Sequence, residues 1–321
     1  MTDDFHDRRA YDFGAGVPAA LAELASIAAE FPPMDIAGSR MGHRVMARLA
    51  GPVPELYEVR NVTIPLRRHG GGLGLRVHRP APGRLPVALF LHGGWFFAGD
   101  LESHDTFARL LADAAECVVV AVHYRRPPEW PCPDAPDDCL LAARWVVEHA
   151  DELGIDARAL AIVGDGAGGT LAAVTARRAR DAGGPEFCLQ VLLCPLISTG
   201  QDSASWRELA GAPIVHPELV RWAWSMYTPP GCEAAPEDIA PGACEDLAGL
   251  PPALVLTAEF DPLRAEGEAY AEALQRAGVP VVLHRYPGMI HGFVGLAGVI
   301  EAGRDAIEEI AGTLRAAFIA A

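Results

Sequence analysis

The chain contains no lysine, so its 26 basic side chains are all arginine. With so much alanine, glycine and proline, this points to a GC-rich gene, which is a statement about codons and not about mechanism. Positive charge is scarce altogether: 42 acidic residues leave a net charge of −16. That balance argues against nucleic acid and against an anionic membrane surface as partners. No apolar run approaches the ~18 residues of a membrane span. The N-terminal stretch Met1–Arg9 is acidic and lacks the apolar core of a signal peptide, so a cytoplasmic location is expected. The seven cysteines, at 117, 132, 139, 188, 194, 232 and 244, include no C-x-x-C pair. Their odd count and irregular spacing suggest free buried thiols, not disulfides or zinc ligands, and no metal site is expected.

What is present is a large apolar fraction. Half of the 321 residues are apolar, enough for one large α/β domain or two small ones. Residues 1–55 read as helical: Pro18 suits a helix start, Leu21, Leu24, Ala28 and Phe31 recur at helical spacing, and Pro32-Pro33 stops the run. A second helical piece runs from about Ile36 to Leu49. Two alternating segments, at Val59–Ile64 and Leu73–Val77, flank a glycine turn and suggest an antiparallel pair. Apolar strands of the buried parallel kind follow at 87–91, 117–122, 160–163, 189–193, 253–257 and 281–286. Helical stretches at about 104–115, 137–150, 168–181, 263–277 and 301–319 alternate with them. Eight strands interleaved with helices imply an α/β fold with a mostly parallel, doubly wound sheet over residues 56–321. The aromatic, proline-rich segment 198–250 interrupts that alternation. It is expected to form, with residues 1–55, a helical cap over the carboxyl edge of the sheet.

Four loop signals carry the chemistry. Leu91-His-Gly-Gly-Trp-Phe-Phe-Ala-Gly-Asp100 follows a strand, and its glycines allow backbone N–H groups to point into a site. Gly164-Asp165-Gly166-Ala167-Gly168 lies between a buried strand and a helix. A serine at 166 would make it G-x-S-x-G, the strained turn that presents a nucleophile. The residue there is glycine, which adopts such a turn at little cost but brings no reactive group. Glu259-Phe-Asp-Pro-Leu-Arg264 and Tyr286-Pro-Gly-Met-Ile-His-Gly-Phe293 also follow strands. Taken singly, the Gly-Gly after a strand is usually just a turn, the Asp-Pro a helix cap and a loop histidine solvated. Their order, oxyanion loop, elbow, acid, histidine, lifts all four.

These segments resemble the hormone-sensitive-lipase-like family of α/β-hydrolases, the bacterial carboxylesterases, from about residue 15 to the C-terminus. The likeness is carried by His92-Gly93-Gly94, Gly99-Asp100-Leu101-Glu102-Ser103-His104, Tyr124-Arg125 with Pro128-Glu129, Gly164-Asp165 with Ala167-Gly168-Gly169, Asp261-Pro262-Leu263-Arg264 and His291-Gly292-Phe293. The resemblance implies the α/β-hydrolase fold, an N-terminal cap, small acyl-ester or carbonyl substrates and no cofactor, and it allows a homodimer. It assigns Asp261 as triad acid, His291 as triad base, and the N–H groups of Gly93, Gly94 and Ala167 as the oxyanion hole. Trp95, Phe96, Trp130 and Trp206 are the aromatics expected to line the substrate pocket. The chain departs from the pattern at Gly166, where the family has serine, at Trp95, where a third glycine is usual, and at His123 and Trp130.

Without a serine, an ordinary acyl-enzyme route is closed. Thr170 should point into helix packing, and Cys194 reads as a small buried hydrophobe. The leading expectation is therefore non-covalent general-base chemistry by His291 and Asp261 on a small apolar carbonyl compound: water-activated hydrolysis, cyclisation or elimination. Two alternatives stand beside it, a serine carboxylesterase inactivated by the change at 166 and a non-catalytic small-molecule binder.

Overall fold

Apolar segments between glycine- and proline-rich breaks assemble into one eight-stranded sheet in the computed structural model, which describes residues 11–66 and 70–321. The acidic segment Met1–Arg9, with the location expected from it, lies outside the described residues. The strands are β1 (Glu58–Pro65), β2 (Gly72–Arg79), β3 (Leu85–Leu91), β4 (Val118–His123), β5 (Ile155–Asp165), β6 (Leu189–Leu193), β7 (Ala253–Phe260) and β8 (Val281–Ile290). Their spatial order is β1-β2-β4-β3-β5-β6-β7-β8. β2 pairs antiparallel with both β1 and β4, and every later pairing is parallel. The central strands are continuous apolar runs because helices cover both faces: Val87–Leu91 and Leu160–Val163 are fully buried.

Helices α1 (Val17–Glu30) and α2 (Ile36–Met46) precede the sheet. Helices α3 (Asp105–Ala115), α4 (Asp134–Glu148), the one-turn α5 (Ala150–Leu153) and α6 (Ala167–Asp181) connect its middle strands. Between β6 and β7 lie α7 (Ala204–Glu208), α8 (Pro217–Tyr227) and α9 (Pro236–Ile239); α10 (Arg264–Arg276) and α11 (Glu301–Ala320) complete the chain. α3 packs with α11 on one face of the sheet and α4 with α6 on the other. The chain steps from β3 out to β4 and then back across β3 to β5. The loops after β3 and β5 therefore leave toward opposite faces and open a crevice at the carboxyl edge. No helix among the described residues is long and apolar enough to cross a membrane.

Among the boundaries that differ from the sequence reading, two have a clear local reason. The second helix ends at Met46 and tightens into a 3₁₀ turn at Ala47–Ala50, which buries Leu49 and Ala50 before Gly51 turns away at φ 105°. β8 continues past its apolar stretch through Pro287 and Gly288 to Ile290, which sets His291 just beyond the strand end.

Candidate active site

The turn after β5 is the most constrained part of the crevice. Gly166 has φ 53° and ψ −115°, a conformation that a side-chain-bearing residue adopts only under strain, and its N–H donates to the Leu193 carbonyl at 2.8 Å. A Cβ on Gly164 would lie 2.1 Å from the Gly168 carbonyl oxygen, and one on Gly168 would lie 2.0 Å from that of Leu91. Glycine at both positions is what lets α6 sit directly on β3 and β5. A Cβ at 166 meets no such obstacle: its nearest neighbour would be His291 Nε2, at 3.6 Å.

The imidazole of His291 is held from the far side. Its Nδ1 lies 2.8 Å from Asp261 Oδ2, and Asp261 Oδ1 accepts the N–H of Leu263 at 2.9 Å. Asp261 is 1% exposed, so its charge is little screened by water. An ionised carboxylate only accepts; Nδ1 therefore carries the proton and Nε2 is the acceptor that faces residue 166. Burial of the ring works against its protonation, but the charge and hydrogen bond of Asp261, with the charge of Asp165, outweigh it, and the pKa of His291 is raised.

The loop after β3 supplies the opposite wall. Among the described residues none accepts a hydrogen bond from the N–H of Gly93, Gly94 or Ala167, and Ala167 opens α6, where the helix dipole favours negative charge. His92 braces this loop from behind. Its ring stacks on Tyr124 at 4.2 Å, its Nδ1 meets the Gly93 carbonyl at 2.9 Å, and the Tyr124 hydroxyl donates to the His92 carbonyl at 2.7 Å. Burial holds the pKa of His92 well below its ordinary value, so the ring stays neutral.

The cavity above these groups has a volume of about 280 Å³. Its floor is Gly93, Gly94, Trp95, Asp165, Gly166, Ala167 and His291, and its roof comes from α1, α2 and residues 213–219. The stripe on α1 is part of that roof: Leu21, Leu24, Ala28 and Phe31 face the cavity, while Val17 and Ala20 are buried. Two arginines of α2 tie the roof to the loops after β3 and β4. Arg40 donates to the Phe97 carbonyl at 2.9 Å and forks onto Glu129 at 2.7 Å, and Arg44 donates to Asp100 at 2.7 Å.

The structure thus brings together Gly166, His291, Asp261, Gly93, Gly94, Ala167 and Trp95. It does not bring Phe96, Trp130 or Trp206 to the cavity. The loop passes through two successive left-handed residues, Trp95 at φ 56° and Phe96 at φ 66°, and their side chains diverge. Trp95 lines the cavity, whereas Phe96 is fully buried and stacked on Tyr227 at 4.0 Å. Each such backbone costs on the order of 1–3 kcal/mol. Trp130 is 37% exposed, with the guanidinium of Arg125 over its ring at 5.4 Å. Trp206 is drawn into the core because its neighbour Ser205 anchors α7 to the start of α10, bonding Pro262 O at 2.6 Å and Ala265 N at 3.1 Å. Of the insertion 198–250, only Pro213, Ile214, His216 and Leu219 reach the cavity.

The other nucleophiles weighed from sequence are accounted for. Thr170 donates to the Leu196 carbonyl at 2.6 Å, in helix packing. Cys194 is buried, with its sulfur within 4.8 Å of donor atoms of Asp261 and His291. Burial, then the charges of Asp261 and Asp165, push its thiol pKa well up, which disfavours a thiolate nucleophile. Sequence reasoning missed the polar groups on the cavity wall, among them His43, His104, His216 and Asp165. Burial lowers the pKa of His43, and its Nδ1 meets the Ser39 carbonyl at 2.8 Å. His104 Nε2 stands 3.9 Å from Asp165. The one available signal was that Asp165 and His104 sit inside quoted motifs.

A family model described as alpha/beta hydrolase fold matches residues 88–295. Esterase LipI of Mycobacterium tuberculosis is 42% identical over 260 residues, 78% of this chain and 79% of that protein. Ethyl acetate hydrolase of Pseudomonas putida is 37% identical over 241 residues, 73% of this chain and 75% of that protein. Among solved structures, a hyperthermophilic esterase from the archaeon Pyrobaculum calidifontis superposes with a TM-score of 0.86 at 40% identity, covering 93% of this chain and 97% of that one. Matched in fold, in the order of its loops and in sequence over most of its length, the chain belongs to the α/β-hydrolase fold family, in its hormone-sensitive-lipase-like group of esterases.

Proposed function

We propose that the protein is an α/β-hydrolase-fold enzyme that works without a covalent nucleophile. His291, oriented by Asp261, takes a proton at Nε2 from a water or a substrate hydroxyl beside Gly166. The N–H groups of Gly93, Gly94 and Ala167 hold the negative charge that develops on a small, mostly apolar ester or carbonyl compound. Hydrolysis by the activated water, cyclisation by the activated hydroxyl and proton-transfer elimination all use this arrangement. The carrying observation is the 3.6 Å between His291 Nε2 and the Cβ position of Gly166, where an attacking serine would begin. The names of relatives, esterase and ethyl acetate hydrolase, support an ester or other carbonyl substrate. In this reading α1, α2 and residues 213–219 act as the cap, no cofactor takes part, and the chain acts in the cytoplasm.

A second reading is favoured by one feature. Gly166 keeps the strained elbow geometry although glycine is free to relax it. A serine carboxylesterase silenced by loss of its hydroxymethyl group would look the same. The test measures turnover of p-nitrophenyl acetate and butyrate, and of a panel of hydroxy esters, by the wild type, His291→Ala and Gly166→Ser. Wild-type turnover that disappears in His291→Ala supports the non-covalent enzyme. Turnover in Gly166→Ser alone, with a burst of acylation, selects the silenced esterase. Tight binding without turnover, indifferent to His291→Ala, would make the chain a binder and end both readings.

A further inference from the structure

The floor of the cavity contains one large side chain that the motif likeness does not supply. Trp95 stands where a third glycine is usual, and it adopts a left-handed backbone, φ 56°, that favours glycine. Its indole lies over the imidazole of His291 with ring centroids 5.3 Å apart and planes 20° from parallel. The loop gives the indole little freedom. Gly94 at φ 113° has no room for a Cβ, which would fall 2.6 Å from the carbonyl carbon of Ala98, and the Ala98 N–H closes the turn onto the Gly94 carbonyl at 2.8 Å. Phe96 and Phe97 are fully buried, packed on Tyr227 and Trp222. Trp95 itself is 8% exposed and still lines the cavity.

An elbow serine would hydrogen-bond Nε2 and hold the imidazole at both edges. With glycine at 166, the hydrogen bond to Asp261 restrains only the Nδ1 edge. A ring fixed at one edge can still tilt about that bond. Stacking on its face removes the tilt, and a π-face beside a cation stabilises the protonated state. The charges acting on His291 are those of Asp261 and Asp165, which favour the imidazolium; the protonated thiol of Cys194 lies beside Asp261, and His43, His104 and His216 line the same cavity.

We infer that Trp95 is a positioning residue for His291: its indole holds the imidazole plane so that Nε2 faces residue 166, and it stabilises the imidazolium that forms when the base accepts a proton. The catalytic consequence rests on the non-covalent reading above; the effect on the ring does not. The full chain, labelled with ¹³C-histidine, is titrated by NMR, with the His291 signal identified by its loss in His291→Gln. Trp95→Leu, which removes the aromatic face while keeping bulk, is expected to lower the His291 pKa by roughly one pH unit, and Trp95→Phe to recover most of it. On p-nitrophenyl butyrate, Trp95→Leu is expected to lower kcat more than it raises KM. A His291 pKa unchanged in a folded Trp95→Leu protein overturns the inference. A pKa that moves in a protein with no turnover upholds the stacking and overturns only the non-covalent reading. Should Trp95→Leu fail to fold, the wild type decides. Its tryptophan emission is expected to fall as His291 is protonated, with the NMR midpoint, and this component is expected to vanish in His291→Gln. Its persistence there overturns the inference.

Discussion

The floor of the cavity is made of loop residues at strand ends, held by hydrogen bonds and by glycines that leave no room for a Cβ. Its roof is the apolar face of α1 with α2 and residues 213–219, held by side-chain packing and by Arg40 and Arg44. The two surfaces answer to different physics. Hydrogen bonds and close backbone contacts tolerate errors of only tenths of an ångström, so in the proposed reading the floor fixes where a proton and a developing charge are placed. Packed apolar side chains exchange for one another at modest cost, so the roof fixes only what shape of substrate is covered. Chemistry should therefore follow floor substitutions, and fit should follow roof substitutions.

The most severe way to break that division is Gly166→Ser. Removing the serine of a Ser-His-Asp triad costs about 10⁶ in kcat, so restoring it is expected to raise turnover of p-nitrophenyl acetate by up to that factor, seen as burst kinetics. His291→Ala is next: the wild-type rate is expected to fall about 10²–10⁴-fold in kcat, the usual worth of a general base.

The support beneath the floor gives a third test. Glu266 is buried, and its carboxyl Oε1 accepts the Ile197 N–H at 2.9 Å, bracing the loop after β6. Burial, with the charge of Asp261, pushes its pKa from 4.5 up to about 8. A carboxyl with a raised folded-state pKa contributes stability that is full below its unfolded value and lost as pH rises through the folded one. Denaturant titrations should therefore show stability declining from about pH 4.5 to about pH 8 by at most about 5 kcal/mol, and Glu266→Gln should flatten that slope. Gly168→Ala tests the close contact of α6 with the sheet. Its Cβ would fall 2.0 Å from the Leu91 carbonyl oxygen, and a loss of at least about 1–3 kcal/mol is expected, read as a lower Tm.

The smallest effect belongs to the roof. Phe31→Ala removes a half-buried wall of the cavity and is expected to raise KM several-fold, on the order of 1 kcal/mol of apolar contact, with kcat unchanged. A kcat that fell in step would mean that the roof also positions the reacting groups, and the division between the surfaces would go.

The same contrast explains what could be read in advance. The geometry at the floor was legible because it draws on particular residue types at strand ends: glycines at 164 and 168 that leave no room for a Cβ, an acid at 261 and a histidine at 291 that pair. The roof was not, because Leu24, Phe31 or Ile214 on a cavity wall has the same sequence signature as one in a core. The aromatic reading failed at Phe96, Trp130 and Trp206 for a related reason. Tryptophan and phenylalanine near a motif show that apolar surface must be covered, but the side it faces depends on backbone turns such as the left-handed pair at 95 and 96.

The sequence by itself determined the sheet, its alternation with helices and the order of the four loops, because strand and helix periodicity and glycine turns are local properties of the chain. It also determined that no side chain stands at the elbow. Only the tertiary structure decided that His291 Nε2 faces that position, that Trp95 lies across the imidazole and that α1 closes the cavity above it. Those are relations between residues more than a hundred positions apart, set by how the sheet twists and the helices pack, and no local pattern encodes such distances.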